Sequence, residues 1–104
     1  MKGVGHGFKA RNLKIIIAIS IAVLILSQIL SLTGSEQLIL LVAILAVIGA
    51  EFFNTAIEEL ADVVTLEHHE GIARTKELAA AAVLAIGGAA IIMTLYIFIP
   101  HLNF

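Results

Sequence analysis

The chain has 104 residues, of which 61% are hydrophobic and 13% charged, with a mean hydropathy of +1.09 and a net charge of -2. An average residue that prefers lipid to water excludes a soluble single domain, because a water-surrounded core of that size cannot hide so many Leu, Ile, Val and Ala side chains. With no cysteine in the chain, disulfides, thiolate metal sites and cysteine nucleophiles are excluded as well.

Residues 1–12 form a basic segment containing Lys2, Lys9 and Arg11, with Lys14 just beyond it. Ile15 to Leu32 is then eighteen residues with nothing more polar than Ser20, Ser27, Gln28 and Ser31. That is close to the ~20 residues needed to cross ~30 Å of hydrocarbon. A secretory signal also starts basic and turns apolar, but no small-x-small cleavage site followed by a soluble domain is found. Thr33-Gly34-Ser35-Glu36-Gln37 is a turn-like break, after which Leu38 to Ala50 is apolar and the helical pattern continues from Glu51 to Ala61. Leu78 to Ile99 is a third apolar run of twenty-two residues, stopped by Pro100. The chain is therefore expected to be an all-α membrane protein, one transmembrane domain over 1–104 with spans of about 13–32, 38–61 and 77–99.

All six Lys and Arg residues fall before the first span or between the second and third. The positive-inside rule then places the N-terminus and the loop of about 63–75 in the cytoplasm, with Glu36 and the tail His101 to Phe104 outside. A cytoplasmic membrane and a multi-pass topology follow from this reading.

The second span is half apolar and half polar. At ~100° per residue, Glu51, Asn54, Glu58 and Asp62 share a stripe roughly 80° wide. Phe52, Phe53, Ile57 and Leu60 cover the remainder. Ionised groups at membrane depth cost ~2.5 to 3.5 kcal/mol each on insertion scales and normally face a protein interior or a wet cavity. Glu58 and Asp62, four residues apart, are spaced to approach a hard cation such as magnesium together, with phosphate or water oxygens completing its shell. Glu51 lies two turns deeper, roughly 10 Å along the axis, at a depth that suits a hydroxyl presented from the bilayer. Lys76 and Glu77 return to the same interface, where a cation meets phosphate.

Plainer readings stand beside these. Glu59 and Asp62 can be charged because the helix has reached water, and Asn54 can be interhelical glue. His68 and His69 sit in a short loop where solvated imidazoles are common, and Arg74 and Lys76 can serve topology alone. The small residues Ala79 to Ala82, Ala85 and Gly87 to Ala90 allow close helix approach, and a polar stripe only partly covered by three helices invites oligomerisation. No nucleotide-binding Gly-rich loop, zinc motif or hydrolase elbow is found, so any phosphate chemistry uses this intramembrane face.

The run Glu51-Phe52-Phe53-Asn54-Thr55-Ala56-Ile57-Glu58, followed by Asp62, Glu67, His69 and Arg74-Thr75-Lys76-Glu77 before Ala80 to Val83, resembles the prokaryotic diacylglycerol kinase and undecaprenol kinase family. It matches that family's E-x-x-N-[ST]-A-x-E-x-x-x-D run and its later K-[DE] pair without a gap, and extends more loosely from Arg11 to Phe104. The resemblance implies a homotrimer of three-helix subunits that phosphorylates a lipid alcohol with MgATP. It further implies Glu51 as general base and Glu58 as metal ligand. Asn54, Asp62, Lys76 and Glu77 become partners of nucleotide and metal, with Glu67, His69 and Arg74 near the nucleotide.

Two departures accompany the match. Only about ten residues precede Arg11 here, where the family has a longer amphipathic surface helix. The family's second metal-binding Glu lies just before its first span, whereas residues 1–35 of this chain contain no carboxylate.

The function expected from the sequence is ATP-dependent phosphorylation of diacylglycerol or undecaprenol, with Mg2+ as cofactor and ATP, the lipid alcohol, membrane lipids and other copies of the chain as partners. No nucleic acid is expected. A catalytically silent nucleotide- or lipid-binding partner protein and a small cation or proton pathway are the alternatives. The latter does not explain why Asn54, Lys76 and Glu77 fit a kinase pattern.

Overall fold

The computed structural model describes residues 2–64 and 69–102. Helix α1 runs Lys2–Ile29, α2 Gly34–Val64 and α3 Glu70–Phe98, and a 3-10 turn over Ile99–His101 follows. All three helices are long and apolar enough to cross a membrane. Nothing interrupts α1 between the basic segment and the apolar span, so the helix continues through both. Its 28 residues rise about 42 Å.

The break between α1 and α2 is a closed hydrogen-bonding device. Ser31 N–H donates to Gln28 O and Leu32 N–H to Ser27 O, each at 3.1 Å, which satisfies two carbonyls that the end of α1 leaves open. This C-terminal motif requires a left-handed residue, and Ser31 supplies it with φ 56°. Two residues on, Thr33 and Glu36 cap α2 reciprocally. Glu36 N–H donates to Thr33 Oγ1 at 3.2 Å, and Thr33 N–H donates to Glu36 Oε1 at 2.9 Å. Gln28 Nε2 bridges the two helices by donating to Gln37 Oε1 at 2.9 Å.

The three helices run up, down and up, and α2 packs chiefly on α3. Leu32, Leu40, Ile97 and Phe98 form a buried cluster beside the α1–α2 turn, with Val23 and Leu30 packed on it. Small side chains carry the closest helix approach further along, where Ala43 and Ala61 of α2 and Ala79 of α3 are buried. At the turn end, His101 Nε2 lies 3.1 and 3.2 Å from the two Glu36 carboxylate oxygens. A carboxylate only accepts, so the ring proton sits on Nε2. At the far end, Lys76 Nζ meets Asp62 Oδ1 at 2.9 Å. These two pairs hold α2 and α3 in register from both ends.

Large apolar side chains cover the outside of the bundle: Phe53 is 75%, Leu84 77% and Tyr96 81% exposed. Such a surface is stable only against lipid or further protein. The chain is a multi-pass membrane protein.

Ser31 offers a test of the turn. A Cβ in the left-handed region costs ~1 to 2 kcal/mol, and glycine gives back part of that in unfolded-chain entropy. Ser31→Gly should therefore raise the unfolding midpoint in mild detergent, the gain in stability being about 1 kcal/mol or less. A lower midpoint would mean that the Ser31 side chain stabilises the turn.

Candidate active site

Beyond Gly49 the α2 sequence changes character without losing its helical period. Glu51, Asn54, Glu58 and Asp62 are all partly buried, whereas Phe52, Phe53 and Leu60 on the other side are exposed. The expected polar stripe therefore points into the bundle, and the aromatic side is left for lipid. Ala61 and Ala79, buried between α2 and α3, let the helices approach closely enough for Lys76 to reach across to Asp62.

Within the stripe, Asn54 Nδ2 donates to Glu58 Oε1 at 3.3 Å. The orientation of the amide is fixed by chemistry, because a carboxylate accepts and an amide oxygen cannot donate. Asn54 Oδ1 is left buried with no hydrogen-bond partner. One end of the side chain is thus anchored to Glu58.

The Lys76–Asp62 pair is half-exposed, at 38% and 44% of the side chains. Pairs of that exposure contribute at most about 1 kcal/mol. Its value lies in aim, since it fixes an ammonium at the mouth of the acidic stripe.

His69 opens α3. Its backbone is extended, with φ -143° and ψ 124°, and its Nδ1 accepts from Gly71 N–H at 3.1 Å. A β-carbon on Gly71 would come within 3.2 Å of the ring, so glycine leaves room for the cap. His69 O also accepts from Ala73 N–H at 2.8 Å, and Thr75 Oγ1 donates to Gly71 O at 2.9 Å. Arg74 and Glu77 follow on the first turns of α3, both exposed. Glu67 lies outside the described residues.

The structure thus joins Asn54 to Glu58 and Asp62 to Lys76, and places His69, Arg74 and Glu77 at the same end of the bundle. Glu51 stands one turn deeper than Asn54 on the same stripe. Ala79 is one of the small residues that the sequence reading named for close helix approach, and it is buried here; Ala61, its counterpart on α2, was missed, because its only signal was small size beside a charged residue. The sequence reading also missed His69 as a helix cap, because histidine is not among the usual capping residues. Among the described residues no three His, Asp or Glu side chains converge into a metal cage. The carboxylates of the stripe, Glu58 among them, are oxygen donors of the kind a hard cation takes, and Asn54 turns its Nδ2 toward Glu58.

An inward carboxylate and amide stripe, met by a lysine at one end of three apolar helices, defines a small membrane protein with a built polar site. The family model for prokaryotic diacylglycerol kinase matches residues 1–98. An undecaprenol kinase of Bacillus subtilis (strain 168) is 35% identical over 92 residues, which is 88% of this chain and 75% of that protein. No solved structure matches. The chain belongs to the prokaryotic diacylglycerol kinase family and is a lipid kinase.

The cap on α3 can be tested directly. Replacing a capping side chain by alanine costs ~0.5 to 2 kcal/mol, and asparagine caps well. His69→Ala should destabilise the start of α3, read as faster amide exchange at 71–73, and His69→Asn should restore protection. Equal exchange in the wild type and both variants would show that the imidazole is not needed as a cap.

Proposed function

We propose that the enzyme transfers the γ-phosphoryl group of ATP to the hydroxyl of a membrane lipid alcohol at the cytoplasmic interface. The observation that carries this reading is the inward polar stripe, with Asn54 and Glu58 joined on it and Lys76 held by Asp62 at its mouth. Cytoplasmic access follows from the basic residues. Every Lys and Arg precedes α1's apolar stretch or lies on the first turns of α3, at the end of the bundle that carries the stripe.

The lipid oxygen attacks the γ-phosphorus while its proton passes to the Glu51 carboxylate, and the bond from that phosphorus to the β-phosphate oxygen breaks, releasing ADP. Glu58 would hold the magnesium that accompanies the nucleotide, and the ion would supply charge neutralisation to the phosphates. Lys76 and Arg74 offset the remaining phosphate charge. Asp62 aims Lys76, and Asn54 orients Glu58. Glu77, His69 and Glu67 complete the nucleotide side of the site. Most of the catalysis is positioning plus electrostatics.

An apolar cavity of about 270 Å³ supports a lipid as acceptor. It lies among the three helices and is lined by Ile19, Val23, Ala43, Val47, Gly87 and Leu95 among others. By the α2–α3 register, Gly87 is level with Glu51, so the cavity begins where the base stands and runs toward the other face of the membrane. A chain laid in it would bring its hydroxyl to Glu51. The Bacillus subtilis relative is named for undecaprenol, which makes undecaprenol the first acceptor to try, ahead of diacylglycerol.

A homotrimer would cover the exposed apolar faces and close the open side of the stripe. Mass measurement in mild detergent should give three chains, and a stable monomer that transfers phosphate would remove the need for shared sites.

Phosphate transfer from labelled ATP to a panel of lipid alcohols, with the purified protein in micelles and with or without magnesium, tests the reaction. Glu51→Gln should lower turnover by about 10² to 10⁴, as loss of a general base does, with nucleotide affinity little changed. A parent protein that binds nucleotide yet phosphorylates no lipid alcohol would leave the silent-partner reading in place.

A further inference from the structure

We infer that Gly87 selects the acceptor: its missing side chain keeps open the mouth of the apolar cavity opposite Glu51, which admits a lipid alcohol whose chain is branched next to the hydroxyl. This selection rests on the proposed kinase reading and belongs to the same site.

The cavity is built for hydrocarbon. Ile16, Ile19 and Val23 of α1 face Ala43 and Val47 of α2 across it, and α3 closes the third side. Two hydroxyls reach the wall, and each is spent on its own helix. Ser20 Oγ donates to Ile16 O at 2.7 Å, and Thr94 Oγ1 donates to Ala90 O at 2.8 Å. Among the described lining residues no side-chain proton is left for an ester carbonyl or a headgroup. From Gly87 to Leu95 the α3 wall runs about 12 Å, room for the first part of a lipid chain.

The mouth of the cavity lies at the base. Val47 is the lining residue of α2 nearest the Lys76 end, and Glu51 stands one turn beyond it on the same side of the helix. The lining residue of α3 nearest that end is Gly87, level with Glu51 in the register fixed by the pairs at both ends. Gly87 and Glu51 therefore flank the opening. Whatever an acceptor carries within a few carbons of its hydroxyl must fit between them.

Glycine in the middle of a helix is less stable than alanine, because it loses more backbone freedom on folding. Its usual uses are a left-handed backbone or the close approach of two helices. Neither holds for Gly87 within the chain. No described glycine has a positive φ, and a β-carbon on Gly87 would meet no neighbouring atom within 4 Å. The use that remains is the space itself. Gly88 is equally open but does not line the cavity, which makes it a reference position one residue away. A leucine at 87 would fill the opening opposite Glu51, and an alanine would narrow it.

The test uses the full chain in mild detergent with two alcohols of equal backbone length, geranylgeraniol, which carries methyl branches, and hexadecan-1-ol, which carries none. With MgATP, kcat/KM is measured for the parent, Gly87→Ala, Gly87→Leu and Gly88→Leu. The ratio of the branched to the straight acceptor should fall by about tenfold or more in Gly87→Leu, and by less in Gly87→Ala. Gly88→Leu should keep the parent's ratio. Occupancy is read separately with a geranylgeraniol analogue that carries a diazirine halfway along its chain. After photolysis, mass spectrometry should find the label on the wall at Ile91, Thr94 or Leu95 in the parent and lose it there in Gly87→Leu.

An unchanged ratio in Gly87→Leu would overturn the selection by Gly87. So would an equal fall in Gly88→Leu, because bulk anywhere on that stretch of α3 would then disturb the site. If Gly87→Leu does not fold, Gly87→Ala decides, since alanine is favoured over glycine in a helix and meets no clash there, and an unchanged ratio in it would be equally fatal. A parent that transfers phosphate but carries the label outside the cavity overturns the selection alone. A parent that transfers none, yet is labelled in the cavity and loses the label in Gly87→Leu, overturns the kinase reading and leaves Gly87 in control of entry. Neither transfer nor label in the parent would overturn both.

Discussion

An ion pair at one end and a carboxylate–imidazole hydrogen bond at the other set the register of α2 against α3, and the site depends on that register. Asp62 meets Lys76 at one end, and Glu36 meets His101 at the other. The two acidic residues are 26 positions apart on α2 and the two basic ones 25 apart on α3 and the turn after it, so the clasps define one antiparallel alignment. Inside a bilayer the helices gain little from hydrophobic attraction to each other, because lipid is as apolar as leucine. Alignment must come from close packing at Ala43, Ala61 and Ala79 and from polar contacts at the ends.

The chemistry follows from the alignment. With α3 in place, the side of α2 carrying Glu51, Asn54, Glu58 and Asp62 is partly enclosed, and its aromatic side faces outward. A slip of one residue would carry Lys76 away from Asp62 and leave the ammonium without its aim. The same slip would separate His101 from Glu36, whose carboxylate also caps α2 through Thr33. Turn, cap, clasp and site are therefore parts of one arrangement.

Much of this was legible in the sequence, because in a membrane the hydropathy pattern reports the solvent directly. Three apolar runs gave three helices, and the 3.6-residue period placed the carboxylates and Asn54 on one side of α2. Other features were hidden for identifiable reasons. Glu36 and His101 read as loop and tail residues, since nothing in a local pattern pairs side chains 65 positions apart. Gly34 and Ser35 read as a break, yet they belong to the first turn of α2, because Thr33 and Glu36 cap each other across them. His69 read as a loop imidazole near the nucleotide, and its capping bond depends on the extended backbone at that residue. The sequence also placed Asn54 among the nucleotide partners without distinguishing its two ends. The contrast between a bonded Nδ2 and an orphaned Oδ1 exists only in three dimensions.

The two clasps also act as a gauge of membrane thickness. At 1.5 Å per residue they stand about 39 Å apart, longer than a ~30 Å hydrocarbon layer and close to its thickness with the headgroup regions included. A helix pair fastened at both ends cannot shorten by sliding, so in a thinner bilayer it must tilt or distort the lipid around it. Tilting would move Glu51 relative to the depth at which a lipid hydroxyl resides, while leaving every distance within the site unchanged. Bilayer thickness would then alter how well a lipid acceptor and the proposed base Glu51 meet, through the lipid rather than through the protein.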